Sequence, residues 1–230
     1  MALPARLSSA AIVLLLTVTP AVPAQAAWTP ADRQAVARTL EKLWRQIFRT
    51  RPPVAANPPA LYEISSNDPA TLSASLRSPC GEVRLAHYCL RDRSIYYDEQ
   101  QLGQVAMEYG DAAAFLALLH EYGHAVQHQI GLLSRKRTLK SIELQADCLA
   151  GAQMTALDRL GMVEPGDLEE AVASYKRFGD YARSSRHHHG TPGERSAAFL
   201  IGVRRGANAC LQPPPASTTG QSPSQSSPDA

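Results

Sequence analysis

The stretch ALLHEYGHAVQH, residues 117–128, sets two histidines four apart with a glutamate directly after the first. The residues before it, DAAAFLALL (111–119), are almost wholly apolar, so the segment reads as one largely buried helix. On an α-helix, residues i and i+4 lie one turn apart on one face, so His120 and His124 can aim ring nitrogens at a single ion. Glu121 stands one position round, beside such an ion and not bonded to it, where it could take a proton from water. A buried polar group without a partner costs on the order of 2 kcal/mol or more, and a metal would satisfy both histidines at once. The competing reading is two histidines that face solvent or bond within the core.

A catalytic zinc site takes three protein ligands and keeps one position open. His128 continues the i+4 series, but at 1.5 Å rise per residue it lies about 12 Å along the axis from His120, too far to share an ion. It reads as a surface residue. The extended motif H-E-x-x-H-x-x-G-x-x-H also fails, because Gln127 and Ile130 stand where its glycine and last histidine belong. A better third ligand lies in SIELQADCLAG (141–151), where Glu143 and Asp147 are again i and i+4. Glu143 would complete a His₂Glu set for one Zn²⁺. Asp147 would accept the other ring N–H of a ligand histidine and so fix its tautomer. Small and apolar neighbours (Ile142, Leu144, Ala146) argue against a solvated acidic face, and Gly151 would let another helix approach closely.

RHHHGTPGER (186–195) brings three more histidines up to a firmly started helix, with Thr191 and Glu194 as a capping box and Pro192 at the first helical position. An imidazole held there could hydrogen-bond an oxyanion. Of His187, His188 and His189, His189 is nearest the cap and is the candidate; a plain solvated histidine run is the alternative.

The rest of the 230-residue chain frames this centre. A net charge of +2 gives no sign of nucleic-acid binding. Residues 1–26 hold one basic residue, an apolar run from about Ala10 to Val18, and a final Ala24-Gln25-Ala26, the pattern of a cleaved signal peptide. The run is too short to span a bilayer, so no stable membrane span is expected after cleavage, and the protein is expected to be exported, periplasmic or secreted. Export gives meaning to four cysteines, Cys80, Cys89, Cys148 and Cys210, which allow three disulfide pairings. Cys80–Cys89 would close a short loop, and Cys148–Cys210 would tie a central helix to the end of the fold. The pairing stays open.

Residues 27–211 then form one domain. TPADRQAVARTLEKLWRQIFRTR (29–51) opens with Thr29 and Pro30 and spaces Val36, Leu40, Leu43, Trp44 and Ile47 as an amphipathic helix. The proline-rich RPPVAANPPALY connects it onward, so 27–60 is an N-terminal helix and linker. EVRLAHYCL and SIYYDE, joined by RDR, read as a hairpin, and a short helix follows to Gly110. Asp111 is expected to cap the motif helix, which stops at Gly131. Helices over about 139–160, over PGDLEEAVASYKRFGDYAR (165–183) and after Thr191 complete an α+β chain that is mainly helical. The Pro/Ser-rich residues 212–230 lack the apolar content to pack and are expected to be disordered.

Several blocks together resemble the bacterial neutral zinc metallopeptidases of the gluzincin type. HYCLRDRSIYYDE is similar to that family's Tyr-Cys strand segment and YGDAAAFLALLHEYGHAVQ to its His-Glu-x-Gly-His-x-x-Gln helix; ELQADCLAG and HGTPGER are similar to its remaining two blocks. Glu194 departs from the glutamine usual before the arginine of the last block. The resemblance implies a zincin fold with a small sheet and an active-site helix. It also implies His120, His124 and Glu143 on zinc, Glu121 as base, and a peptide or protein as substrate. The strand ending near Tyr97 is expected to pair with that substrate. Two rival readings remain: a non-catalytic envelope binding or assembly protein that keeps zinc for stability, and a peptidase of cell-wall peptides. Oligomeric state is not legible in the chain.

Overall fold

The computed structural model describes residues 30–64, 77–133 and 137–211, with residues 30–33 and 77 described by their backbone alone. The expected signal peptide (1–26), Thr29 and the expected disordered tail (212–230) lie outside the described residues.

The chain runs through α1 (Pro30–Ile47), α2 (Pro52–Ala55), β1 (Leu61–Ile64), β2 (Arg77–Ser78), β3 (Gly81–Glu82), β4 (Ala86–Cys89) and β5 (Ser94–Asp98). The helices α3 (Glu99–Tyr109), α4 (Asp111–Gln129), α5 (Leu139–Asp158), α6 (Asp167–Phe178), α7 (Pro192–Arg205) and α8 (Ala207–Leu211) follow. The result is a helical body with a small mixed sheet. Among the described residues, no helix is long and apolar enough to cross a membrane.

The sheet order is β1-β5-β4, with β1 parallel and β4 antiparallel to β5. The β4–β5 hairpin stands where alternation and the RDR turn place it. Its first strand is shorter than EVRLAHYCL suggests, because Gly81–Glu82 pairs instead with Arg77–Ser78 in a separate two-stranded hairpin. The connector was not expected to hold structure, yet it contributes α2 and then β1, which pairs Leu61 with Ile95. Since β5 is flanked on both sides, it has no free edge for an extended substrate, and the expectation for the strand ending near Tyr97 is corrected. The open edge on the cleft side belongs to β4.

β5 passes directly into α3, where Asp98 Oδ1 accepts the Gln101 N–H at 3.1 Å. Gly110, at φ 101°, then separates α3 from α4. It leaves no room for a side chain, since a Cβ there would lie 1.8 Å from Glu170 Oε2. The cap of α4 is therefore Gly110, and Asp111 is the first helical residue, its Oδ1 accepting the Ala112 N–H.

α4 is the buried axis of the molecule, and its Ala- and Leu-rich sequence supplies strong helix formers. α1 covers one side of it through Leu40, Leu43 and Trp44, joined by Phe48 just past its end, with Trp44 edge-on to Tyr122 at 5.7 Å. Ile47, expected in this stripe, is 41 % exposed; Phe48, four residues beyond Trp44, turns in and packs at 4.5 Å from its ring. On another side α5 crosses closely, because a Cβ on Gly123 would lie 2.8 Å from the Ala146 carbonyl oxygen. α5 meets α7 just as closely through Gly151 and Gly202, whose added Cβ atoms would strike the backbones at Phe199 and Cys148. The close approach expected of Gly151 is thus made by α7.

α6 stops at Phe178, earlier than its sequence suggests. Gly179 is extended there and presses on Pro192, where a Cβ would lie 2.4 Å from the proline nitrogen. The capping box of α7 forms as expected, with Thr191 Oγ1 accepting the Glu194 N–H and Glu194 Oε2 accepting the Thr191 N–H. The cysteines pair as Cys80–Cys89 and Cys148–Cys210, which removes the ambiguity among three pairings.

Candidate metal centre

The first turn of the motif on α4 and the first half of α5 meet at the bottom of a cleft of about 710 Å³. His120 Nε2 lies 3.1 Å from Glu143 Oε2, and His124 Nε2 lies 3.4 Å from Glu143 Oε1. The ligand-capable atoms of these three residues all lie within 4.8 Å of one another. His120 and Glu143 are buried and His124 is half-buried.

Both rings are held from behind. His120 Nδ1 donates to Asp147 Oδ1 at 2.8 Å, and His124 Nδ1 donates to Gln127 Oε1 at 2.8 Å. With each Nδ1 engaged from behind, each Nε2 is the ring atom turned toward Glu143, where it donates to the carboxylate in the metal-free chain and would give up that proton to take an ion. Two imidazole nitrogens and a carboxylate converging in this way form a donor set suited to zinc. The geometry fits one divalent ion.

Asp147 is fully buried and its carboxylate is saturated. Besides His120 it accepts Arg195 Nε at 2.8 Å, Arg195 Nη2 at 2.9 Å and the Tyr175 hydroxyl at 3.3 Å. Burial pushes its pKa up, but Arg195 and His120 outweigh burial and hold the carboxyl below its usual range. Glu143 behaves alike: burial raises it, and hydrogen bonds from His120 and His124 bring it well below the usual carboxylate range. In the metal-free chain, burial would lower His120, yet Asp147 and Glu143 more than offset this and lift its pKa to about 10.

Glu121 lines the same cleft, and its Oε2 accepts the main-chain N–H of Tyr88 at 2.7 Å. This bond comes from the outward edge of β4, so the sheet fixes the carboxylate beside the two histidines. The Tyr88 phenol reaches the other way, to His128 Nδ1 at 2.9 Å. His128 is accordingly half-buried against Tyr88, which corrects its reading as a surface residue, although it stays outside the metal cluster.

The loop between α6 and α7 closes one side of the cleft. His189 lines the cleft, with its side chain 47 % exposed, and its main-chain N–H donates to Asp180 Oδ2 at 2.9 Å. The inward-pointing histidine is His188, whose side chain is 5 % exposed and whose Nδ1 donates to Asp180 Oδ1 at 2.5 Å. His187 faces solvent.

Of the three supporting residues, two carry no clear signal in sequence. Arg195 lies 48 positions from Asp147, and Tyr175 lies 28. Gln127 is the exception that helix geometry could have found, standing three residues after His124 on the same face. Its Nε2 also donates to the Ile142 carbonyl at 2.8 Å, which anchors α4 to α5 beside the site.

A family model described as "Putative neutral zinc metallopeptidase" matches residues 24–210, well over half of the chain. Among curated relatives, "Uncharacterized protein YpfJ" of Escherichia coli (strain K12) is 31 % identical over 123 residues, covering 45 % of this chain and 43 % of the relative. "Uncharacterized protein Rv2575" of Mycobacterium tuberculosis is 26 % identical over 155 residues, covering 54 % and 53 % respectively. The chain thus spans about half the length of the curated relatives it matches. No solved structure matches it.

Proposed function

The chain belongs to the "Putative neutral zinc metallopeptidase" family, and from that premise we propose that it is an exported peptidase of the zincin type, hydrolysing peptide bonds with one zinc ion held by His120, His124 and Glu143. The observation that carries this reading is the convergence of two tautomer-fixed Nε2 atoms on Glu143, with Glu121 beside them in an open cleft.

Bound zinc would supply Lewis acidity, polarising a carbonyl oxygen and lowering the pKa of water toward about 7. The chain's own residues do the rest. Glu121, held at Oε2 by the Tyr88 N–H, accepts a proton from the attacking water and returns it to the departing amine nitrogen. Asp147, backed by Arg195, keeps the His120 proton on Nδ1, and Gln127 does the same for His124. His189, which lines the cleft, would donate to the oxyanion as the carbonyl carbon becomes tetrahedral. The outward edge of β4 offers main-chain groups to an extended peptide, with the Tyr88 N–H already taken by Glu121.

A purely structural zinc site usually closes with a fourth protein ligand. Among the described residues, only His120, His124 and Glu143 gather at this position, and a spare carboxylate lies beside them. That favours catalysis over a stabilising role. Export rests on the reading of residues 1–26, and the two disulfides are compatible with an oxidising compartment.

A broad peptide-library digest with and without a chelator, run beside metal analysis, tests the proposal. Cleavage that stops on chelation and returns with zinc supports it. Stoichiometric zinc with no cleavage of any peptide would sink it in favour of the binding protein.

A further inference from the structure

The whole chain has a net charge of only +2, yet residues 176–189 alone hold Lys176, Arg177, Arg183 and Arg186 against the single carboxylate of Asp180. This run leaves the end of α6 and borders the cleft, where Arg177 and His189 line the wall. Asp180 is turned into its own loop, accepting His188 Nδ1 and the N–H groups of His189 and Ala182.

The β4 side of the cleft carries a cation of its own. Arg84 also lines it; its side chain is 86 % exposed, and it forms a long, exposed ion pair with Glu82, Nε to Oε1 at 3.7 Å. Arg177 has one exposed partner, Glu108, at 3.3 Å. The acidic groups within the cleft are all engaged: Glu121 by Tyr88, Glu143 by two histidines, Asp147 by Arg195 and His120. A solvated basic face is the ordinary explanation for such a run. It does not account for Arg84, which comes from a different element and lines the same cleft. The charges are segregated: Glu143, Asp147 and Arg195 are buried at the metal centre and Glu121 is half-buried beside it, whereas Arg84 and Arg177 are the exposed charges of the lining, and exposed charge of one sign favours an oppositely charged ligand.

We infer that the cleft selects acidic peptide segments, with Arg84 and Arg177 meeting Asp or Glu side chains of the bound peptide. This rests on the peptidase reading of the cleft and names its substrate class. Exposed charge pairs are weak and screened by salt, so the preference is strongest at low ionic strength.

The test uses the full zinc-loaded chain carrying Glu121→Gln, so that binding is read without turnover. Labelled peptides of equal length, one Asp/Glu-rich, one neutral and one Lys-rich, are titrated by fluorescence anisotropy at low and physiological salt. The acidic peptide should bind about tenfold tighter than the neutral one at low salt, with the gap narrowing as salt rises. Adding Arg84→Gln and Arg177→Gln should flatten the order, and Arg84→Glu with Arg177→Glu should reverse it. Equal binding of all three peptides overturns the inference, as does an acidic preference that survives charge reversal. If an anionic polysaccharide displaces the acidic peptide at equal charge concentration, the patch reads charge alone and the peptide assignment falls. Acidic binding by a wild-type chain that cleaves nothing supports the inference while overturning the peptidase reading.

Discussion

Arg195 grips Asp147 with two nearly parallel bonds, Nε to Oδ2 at 2.8 Å and Nη2 to Oδ1 at 2.9 Å, in a site where Asp147 has no solvent exposure. The same carboxylate orients His120, so a cation on α7 acts through Asp147 on a candidate metal ligand on α4. Replacing Arg195 by Met leaves a buried carboxylate facing only His120 and Tyr175. Removing one partner of such a pair costs about 3–5 kcal/mol. Zinc affinity should also fall, by about 10- to 100-fold, as for other groups that orient ligands. Chemical denaturation and competition with a chromogenic chelator would measure the two effects; unchanged zinc affinity would remove Arg195 from the site.

Gln127 offers a milder version of the same experiment. Gln127→Leu deletes the acceptor for His124 Nδ1 and the anchor to the Ile142 carbonyl. Zinc affinity should drop about tenfold, with Glu121 untouched, so turnover at saturating zinc should largely recover. A variant that stays inactive at saturating zinc would mean that Gln127 does more than orient His124.

Helix arithmetic made the members of the cluster legible, because both i,i+4 pairs are local facts: His120 with His124, and Glu143 with Asp147. The same arithmetic removed His128 as a ligand but could not supply its true neighbour, since Tyr88 arrives from a strand 40 positions away. Arg195 was hidden for the same reason. Its value lies in a long-range meeting of α5 and α7, made possible by two glycines, one on each helix. β1 was illegible in another way: four residues after a run of prolines carry no periodicity, and only pairing with β5 makes them a strand. Choosing among the three histidines also needed tertiary structure, because adjacent positions in a loop have no fixed period to say which one turns inward.

The metal-free protein should show a distinctive pH dependence. His120 has a folded pKa of about 10 against an ordinary 6.5, so its contribution to stability is fully present below pH 6.5. That contribution is lost as pH rises through about 10. Glu143 and Asp147 are lowered in the fold, so theirs is present above the ordinary carboxylate range and lost as pH falls. The chelated protein should therefore lose thermal stability from pH 6.5 to 9.5. Zinc takes the neutral form of the ring, so the rise in Tm on adding zinc should grow across the same interval. A zinc-induced rise that is flat with pH would contradict the charged state assigned to His120.

Gly123 lies between the two candidate ligand histidines, and its role is steric. Gly123→Ala places a methyl group 2.8 Å from the Ala146 carbonyl oxygen, and backbone there cannot easily yield. α4 and α5 must separate by some tenths of an ångström, which moves Glu143 away from both histidines. Overpacking of this kind costs about 1–3 kcal/mol, and zinc affinity should fall with it. Gly103, on α3, where a Cβ meets nothing within 4 Å, is the control. Gly103→Ala should stabilise slightly through reduced chain entropy. Equal effects at the two sites would refute the steric account.

Each disulfide adjoins a residue that holds the candidate centre: Cys89 follows Tyr88, and Cys148 follows Asp147. Loop-closure entropy predicts unequal costs of removal, about 3 kcal/mol for the Cys80–Cys89 loop and about 4 kcal/mol for the longer Cys148–Cys210 loop. The functional costs should run in the opposite order. Cys80→Ser with Cys89→Ser frees the end of β4 whose N–H fixes Glu121, so turnover should fall while zinc stays bound. Cys148→Ser with Cys210→Ser releases α8 but leaves Asp147 gripped by Arg195, so turnover per folded molecule should change little. Denaturation curves, zinc content and kcat on one peptide substrate, taken together for both pairs, decide the matter. If the Cys80–Cys89 variant kept full kcat, the strand edge would not be what positions the base.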